Sequence, residues 1–288
     1  MAAPTGPTVR RMQLGGELRR LRERAQLTLA EAVDGLDFSI SKLYRVENGL
    51  TGLKSASELR SLLDRYGVTD EDDLEFLAEI HRDSLNRGWW SQYRSTMPSG
   101  MAMYVGLESG ARAIRAWHPS VIFSLLQTEA YVREMLQTSK AVEESTTEFI
   151  ERTIQLRMER KEQLIRKQKG AELWAILDEA ALRKTVGGPD VMRGQYEEII
   201  RLAKLDNVTV QILPLASATY RCITNFTLLE FGDPQLTVVQ TDMPEGGSNV
   251  SDKDTTIWAF NRRFDALRAG ALAPGETPTF LHRLAGEI

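Results

Sequence analysis

The chain has 288 residues, with 36 Lys and Arg against 40 Asp and Glu, a formal net charge of −4 at pH 7. At 42% hydrophobic and 26% charged residues it is ordinary globular material, and its length lies near the upper limit for one core, so two domains are expected. A single cysteine, Cys222, excludes an internal disulfide and a cysteine-built zinc site, and His81, His118 and His282 are too scattered to make a metal centre the natural reading. Neither a membrane-length apolar run nor the apolar core of a signal peptide is visible, which predicts a cytoplasmic protein with no membrane partner and no cofactor.

The mild overall acidity hides a polarity. Residues 10–66 carry eleven basic and eight acidic side chains, whereas 67–85 carry seven acids and only Arg82 as a base. A small basic module followed by an acidic segment fits a DNA-binding head on an acidic body, although a solvated mixed-charge surface gives the same pattern.

In chain order, residues 1–9, with Pro4, Gly6 and Pro7, predict a disordered arm. Leu14, Leu18, Leu21 and Ala25 recur at helical spacing. Thr28 and Glu31 form a capping-box signature for a second helix to about Gly35. Leu36-Asp37-Phe38 is a tight connection, and Ser39 caps a third helix, Ile40 to Glu47, stopped by Asn48-Gly49. A fourth helix spans Ser55–Tyr66, and Asp70 caps a fifth with Leu74, Leu77 and Ile80 inward. The Asp-Glu-Asp-Asp run at its start complements the helix dipole better than it makes a metal site.

Beyond the Trp89-Trp90 and Pro98-Ser99-Gly100 break, helices are expected over 123–136 and 146–169, then a strand at Leu173–Leu177. Pro189 opens a helix to about Leu205, and strands follow at 208–213, 225–231 and 236–241. The last two are joined by Gly232-Asp233-Pro234 as a hairpin, and helices near 255–269 and 278–285 close the chain. The expected fold is a mostly α head of about five helices plus an α+β domain with a small, largely antiparallel sheet. The expected boundaries are an arm at 1–9, a helix-turn-helix domain at 10–87, a linker or joint at 88–103 and a regulatory, dimerising domain at 104–288.

Two short helices joined by a tight turn make an angular pair whose second member fits a major groove roughly 12 Å wide. Leu43 and Val46 should face the core, leaving Ile40, Ser41, Lys42, Tyr44 and Arg45 outward. From Leu27 through Arg45-Val46-Glu47-Asn48-Gly49 the segment resembles the xenobiotic-response-element class of helix-turn-helix regulators. The expected DNA-contact set is Thr28 and Ser39 at the helix starts, Ile40, Ser41, Lys42, Tyr44 and Arg45 along the second helix, and Asn48 at its end. Leu29 and Ile40 stand where that class usually carries glutamines, so its usual base preferences are not carried over.

Gly88-Trp89-Trp90, Tyr104-x-Gly106-Leu107-Glu108, Leu125-Leu126-Gln127-Thr128-Glu129-x-Tyr131, the run Leu173–Arg183, Gly187-Gly188-Pro189 and Asn207–Pro214 resemble the C-terminal domain of actinobacterial WhiJ-type, antitoxin-like regulators. The likeness fades after Leu215, and 243–256 follows no pattern of that family. The resemblance implies transcriptional control in development or specialised metabolism, and modulation by a small companion protein or small-molecule effector. It implies no catalytic residues.

Other chemistry has competing explanations. Asp178-Glu179 reads as an acid–base pair or as the start of a helix, and Gly187-Gly188 as a phosphate loop or a helix stop. Cys222 beside Arg221 is an activated thiol or a buried hydrophobe. Trp89, Trp90 and Tyr93 are a stacking cluster or an apolar joint, and the bases of 157–169 a phosphate contact or a solvated face. The expectation is a non-enzymatic regulator that binds a pseudo-palindromic DNA site as a homodimer. The alternative is an enzyme with an appended DNA-binding head.

Overall fold

The computed structural model describes residues 6–166, 171–232, 236–244 and 246–288. The chain divides into two compact units between Ser91 and Gln92.

The first unit is entirely helical: α1 (Pro7–Arg24), α2 (Leu29–Val33), α3 (Ile40–Glu47), α4 (Ala56–Arg65) and α5 (Glu71–Ser84). Short polar side chains start four of them. Thr28, Ser39, Ser55 and Asp70 each accept the backbone N–H three residues on, which satisfies one of the unpaired donors of a helix start. Leu14, Leu18, Leu43, Val46, Leu59, Leu62, Leu77 and Ile80 converge on one core. Burial of each leucine is worth about 1.5–3 kcal/mol, which is what holds five short helices together.

The expected arm needs correction. Pro7 sits in the first turn of α1, where its missing N–H costs nothing, and Thr8 and Val9 are buried. Residues 1–5 lie outside the described residues. The second helix also ends sooner than expected, at Val33. Asp34 is extended and Gly35 takes φ 75°, and the connection to α3 lays Leu36 and Phe38 on the core.

A 3-10 helix, Trp89–Thr96, spans the division, with the Trp89 and Trp90 rings packed edge to face. The second unit opens with α6 (Met101–Gly110) and builds a six-stranded mixed sheet from β1 (Ala113–His118), β2 (Glu172–Asp178), β3 (Val208–Leu213), β4 (Phe226–Glu230), β5 (Thr237–Asp242) and β6 (Ser248–Ser251). The order is β3-β2-β1-β4-β5-β6, with parallel pairing of β1 to β2 and of β2 to β3, and antiparallel pairing elsewhere. The parallel pairs need crossovers, supplied by α7 (Glu129–Ser139) and α8 (Thr147–Arg166), then by α9 (Glu179–Arg183) and α10 (Pro189–Leu202). The chain closes with α11 (Asp254–Gly270) and α12 (Thr277–Gly286).

One sheet face, with Trp117, Ile176, Phe226, Leu228 and Val239, is covered by Phe264 and Leu267 of α11. The strands also bury their opposite face, which explains why Leu173–Leu177 reads as a continuous apolar run rather than an alternating one.

The expected helix over 123–136 is split into a 3-10 turn, Ser124–Leu126, and α7, because Thr128 restarts the backbone as N-cap for Tyr131. β1, β6 and α6 had no counterpart among the sequence expectations. β4 and β5 pair antiparallel up to Glu230 and Thr237, while Asp233 and Pro234 of the expected hairpin turn lie outside the described residues.

Candidate nucleic-acid interface

The α2–α3 pair is fixed at both ends. Thr28 and Glu31 complete a reciprocal capping box, the Thr28 N–H donating to Glu31 at 2.8 Å and Glu31's N–H to the Thr28 hydroxyl at 3.2 Å. The Thr28 N–H, and the Thr28 hydroxyl donating at 2.7 Å, hold the Glu31 carboxyl below its usual range. At the exit of α3, Asn48 Nδ2 donates to the Tyr44 carbonyl at 2.7 Å and Gly49 takes φ 65°. A Cβ on Gly49 would lie 2.6 Å from Met12 Cγ, and one on Gly15 would collide with the Val46 carbonyl oxygen. Glycine at both positions lets α1 lie directly on the end of α3.

With the ends fixed, helical spacing sorts the faces of α3. Leu43 and Val46 enter the core, whereas Ile40, Ser41, Tyr44 and Arg45 are exposed, Ile40 and Tyr44 at 50% and 54%. Of the side chains singled out in the sequence, Ile40, Ser41, Tyr44 and Arg45 are thus presented on the exposed side of α3. Thr28 and Ser39 are spent on capping, and Asn48 on the helix exit.

Two positions differ in character from the rest. Lys42 is only half-buried but its ammonium is engaged: it bonds Glu58 at 2.6 Å and sits 4.0 Å from the centre of the Phe38 ring. Burial pushes Glu58 up, and the bonds from Lys42 and from the Lys54 N–H outweigh it, so its carboxyl lies below its usual range. Arg45, by contrast, makes no ion pair or hydrogen bond through its side chain among the described residues. Leu29 and Ile40, the two apolar substitutes for glutamine, also part company, since Leu29 packs against the core while Ile40 stays in solvent.

Glu58 and the buried pair of Arg22 with Glu47 were not singled out in the sequence. Ser55-x-x-Glu58 was legible as a capping-box spacing, but the Glu58 carboxylate serves Lys42 and Lys54 instead of the Ser55 N–H. Nothing in the local pattern marked Arg22 as the partner of a residue 25 positions away.

In the second unit the alternative sites resolve into structure. Asp178 caps α9 and accepts from Arg221 at 3.0 Å. Glu179 accepts from the Leu215 N–H at 2.7 Å and from Arg183 at 2.6 Å, which keeps its carboxyl below the usual range despite burial. Gly187 and Gly188 take positive φ before Pro189 opens α10, and Cys222 packs into the core under α11. Within the basic stretch Arg160 and Lys161 do not lie on a solvated face: both are buried, Arg160 on Glu108 and Lys161 on Glu198. Lys167 and Lys169 lie outside the described residues. Among the described residues no group of three or more His, Cys, Asp or Glu could hold a metal ion, and no helix is long and apolar enough to cross a membrane.

Residues 13–77 match a helix-turn-helix domain model, which supports a DNA-binding regulator of transcription. Residues 101–283 match the model described as a domain of unknown function (DUF5753). No curated protein and no solved structure matches the chain. Since the second of these models covers more than half of the sequence, the chain belongs to the DUF5753 family.

Proposed function

We propose that the protein is a transcriptional regulator of the xenobiotic-response-element type that places α3 in the major groove of a two-fold-symmetric operator, as a homodimer. The observation that carries this reading is the sorting of α3: Leu43 and Val46 in the core, and Ile40, Ser41, Tyr44 and Arg45 presented together on the opposite face. A helix held by caps at both ends, with a free guanidinium on its exposed side, is suited to read base edges. One such helix contacts only a few base pairs, and a second copy about one helical turn away supplies the missing selectivity.

In this reading the DUF5753 region carries no catalysis. It dimerises the protein and responds to a small ligand or a small companion protein, in the developmental or specialised-metabolic control of an actinobacterial cell, with the regulator in the cytoplasm and on the nucleoid.

Genome-wide footprinting of the full chain, followed by anisotropy titrations on the recovered site, tests the proposal. Affinity should fall steeply with salt as phosphates are neutralised and counterions released. The recovered site should be pseudo-palindromic and bound by two copies in light scattering. Binding retained by residues 92–288 and lost from residues 1–91 would overturn the assignment of the DNA-binding surface.

A further inference from the structure

A lysine beside a recognition helix meets phosphate freely only if no carboxylate holds it first. Lys42 is held. Its side chain and that of Glu58 are 26% and 22% exposed, and Nζ lies 2.6 Å from Glu58 Oε1. The ammonium also sits 4.0 Å from the centre of the Phe38 ring. Glu58 is itself fixed in place. Its N–H donates to Ser55 Oγ at 3.2 Å in the first turn of α4, and its other carboxylate oxygen, Oε2, accepts from the Lys54 N–H at 2.8 Å. A side chain tied back to the backbone in this way has little rotamer freedom left to lose when it takes Lys42.

The pair joins α3 to α4 at the edge of the helical unit, outside the core built by Leu43, Val46, Leu59 and Leu62. Ion pairs with this much access to water add little to stability. Their effect on a polyanion is larger. Affinity for DNA grows with the number of phosphates neutralised and counterions released, and a lysine already neutralised by its own chain releases none. Arg45, the next cation along α3, is exposed, so the carboxylate acts on Lys42 selectively.

We propose that Glu58 restrains DNA binding: its carboxylate competes with a backbone phosphate for the Lys42 ammonium, and the phosphate contact of Lys42 is withheld until that carboxylate is displaced. The inference rests on the placement of α3 in the major groove and adds to it a residue of α4 that sets how strongly any duplex is held. A phosphate has to break the bond from Lys42 to Glu58 before it gains its own. This lowers affinity on every sequence alike and leaves base selectivity to the exposed side of α3.

The test is a double-mutant cycle on the full chain, read by anisotropy on random duplex DNA and on the recovered operator. Glu58→Gln keeps an acceptor oxygen for the Lys54 N–H and removes the charge that holds Lys42. It should tighten binding to both DNAs at least about threefold and steepen the slope of log affinity against log salt by about 0.9, one further phosphate. In a Lys42→Ala background the same substitution should leave both quantities nearly unchanged. An equal gain in both backgrounds would mean that Glu58 acts only as a distant negative charge. No gain from Glu58→Gln would mean that Lys42 is not withheld, and a loss that Glu58 steers it onto the phosphate. Each of these three outcomes overturns the proposal. If Glu58→Gln does not keep the wild-type melting temperature, Glu58→Asp replaces it. Aspartate keeps the charge but draws it back from Lys42 by one methylene, and the same direction is expected. Acetylation of the DNA-free protein by acetic anhydride, followed by mass spectrometry, reads the pair without DNA. Lys42 should react more slowly than the exposed Lys54 in the wild type and faster in Glu58→Gln, and equal rates for the two lysines in the wild type would also overturn the proposal. A wild-type protein that binds neither DNA sinks the DNA reading and this inference with it. Wild-type binding combined with any failing outcome above sinks this inference alone.

Discussion

Arg22 grips Glu47 with two parallel bonds, Nε to Oε1 at 2.7 Å and Nη2 to Oε2 at 2.9 Å, and its remaining nitrogen donates to the Leu27 carbonyl at 2.8 Å. One side chain of α1 thereby fixes both the end of α3 and the chain entering α2. The Glu47 side chain is 3% exposed, so removing its partner strands a carboxylate in the core.

Arg22→Met is accordingly expected to destabilise the helical unit by about 3–5 kcal/mol, the usual penalty for breaking a buried pair from one side. Hydrogen exchange of the α1 and α3 amides in the full chain measures this. A loss below about 1 kcal/mol, the range of exposed pairs, would show that the pair contributes little.

Arg45 and Lys42 should behave differently on DNA. Arg45 is free to meet a guanine edge, so Arg45→Ala should cost about 1–3 kcal/mol on the operator and relax selectivity at one base pair. Lys42 is already held by Glu58 and the Phe38 ring, so its charge reaches a phosphate partly neutralised. Lys42→Ala should weaken operator and random DNA alike, and by less. Competition titrations on both DNAs decide the matter, and equal, unselective losses for the two variants would remove the distinction.

Local signals made the helical unit readable in the sequence. Caps at Thr28, Ser39, Ser55 and Asp70, and the stop at Asn48-Gly49, lie within a few residues of what they control. β1 was hidden for the opposite reason. Arg115 interrupts its apolar pattern and is tolerated only because Glu230 and Asn261, more than a hundred residues away, receive its guanidinium. β6 is too polar and short to stand out, since Ser-Asn-Val-Ser becomes a strand only by pairing with β5. Lys42 shows the same limit within the candidate interface: periodicity placed it outward, but the carboxylate that engages it belongs to α4.

Acid should weaken the second unit through His118. Burial holds its pKa at about 4 in the folded chain against 6.5 for the free side chain. Between those values the unfolded chain holds a proton that the folded chain does not, so stability is complete above this window and falls as pH drops through it. The loss should reach about 2 kcal/mol by about pH 5. The melting temperature of His118→Asn should therefore fall less between about pH 7 and about pH 5 than that of the wild type. Parallel pH profiles would mean that His118 protonates as easily in the folded chain as in the unfolded one.

The last expectation concerns Ile40, the first residue of α3 and half exposed on its outer face. An isoleucine at the leading end of a recognition helix can neither donate nor accept a hydrogen bond. Its favourable partner on the groove floor is the thymine C5-methyl, the one apolar group there. The competing idea, that Ile40 is sequestered in an apolar patch with Leu29, loses force because Leu29 turns to the core while Ile40 remains open to solvent. Replacing thymine by uracil at one position of each half-site should then weaken wild-type binding by about 1 kcal/mol, near the value of a buried methyl group. Ile40→Gln should remove that sensitivity and move the preference toward adenine, whose edge a glutamine meets with two hydrogen bonds. Anisotropy titrations over a set of singly substituted operators read both effects, and a wild-type protein indifferent to uracil throughout the half-site would show that Ile40 meets no thymine methyl.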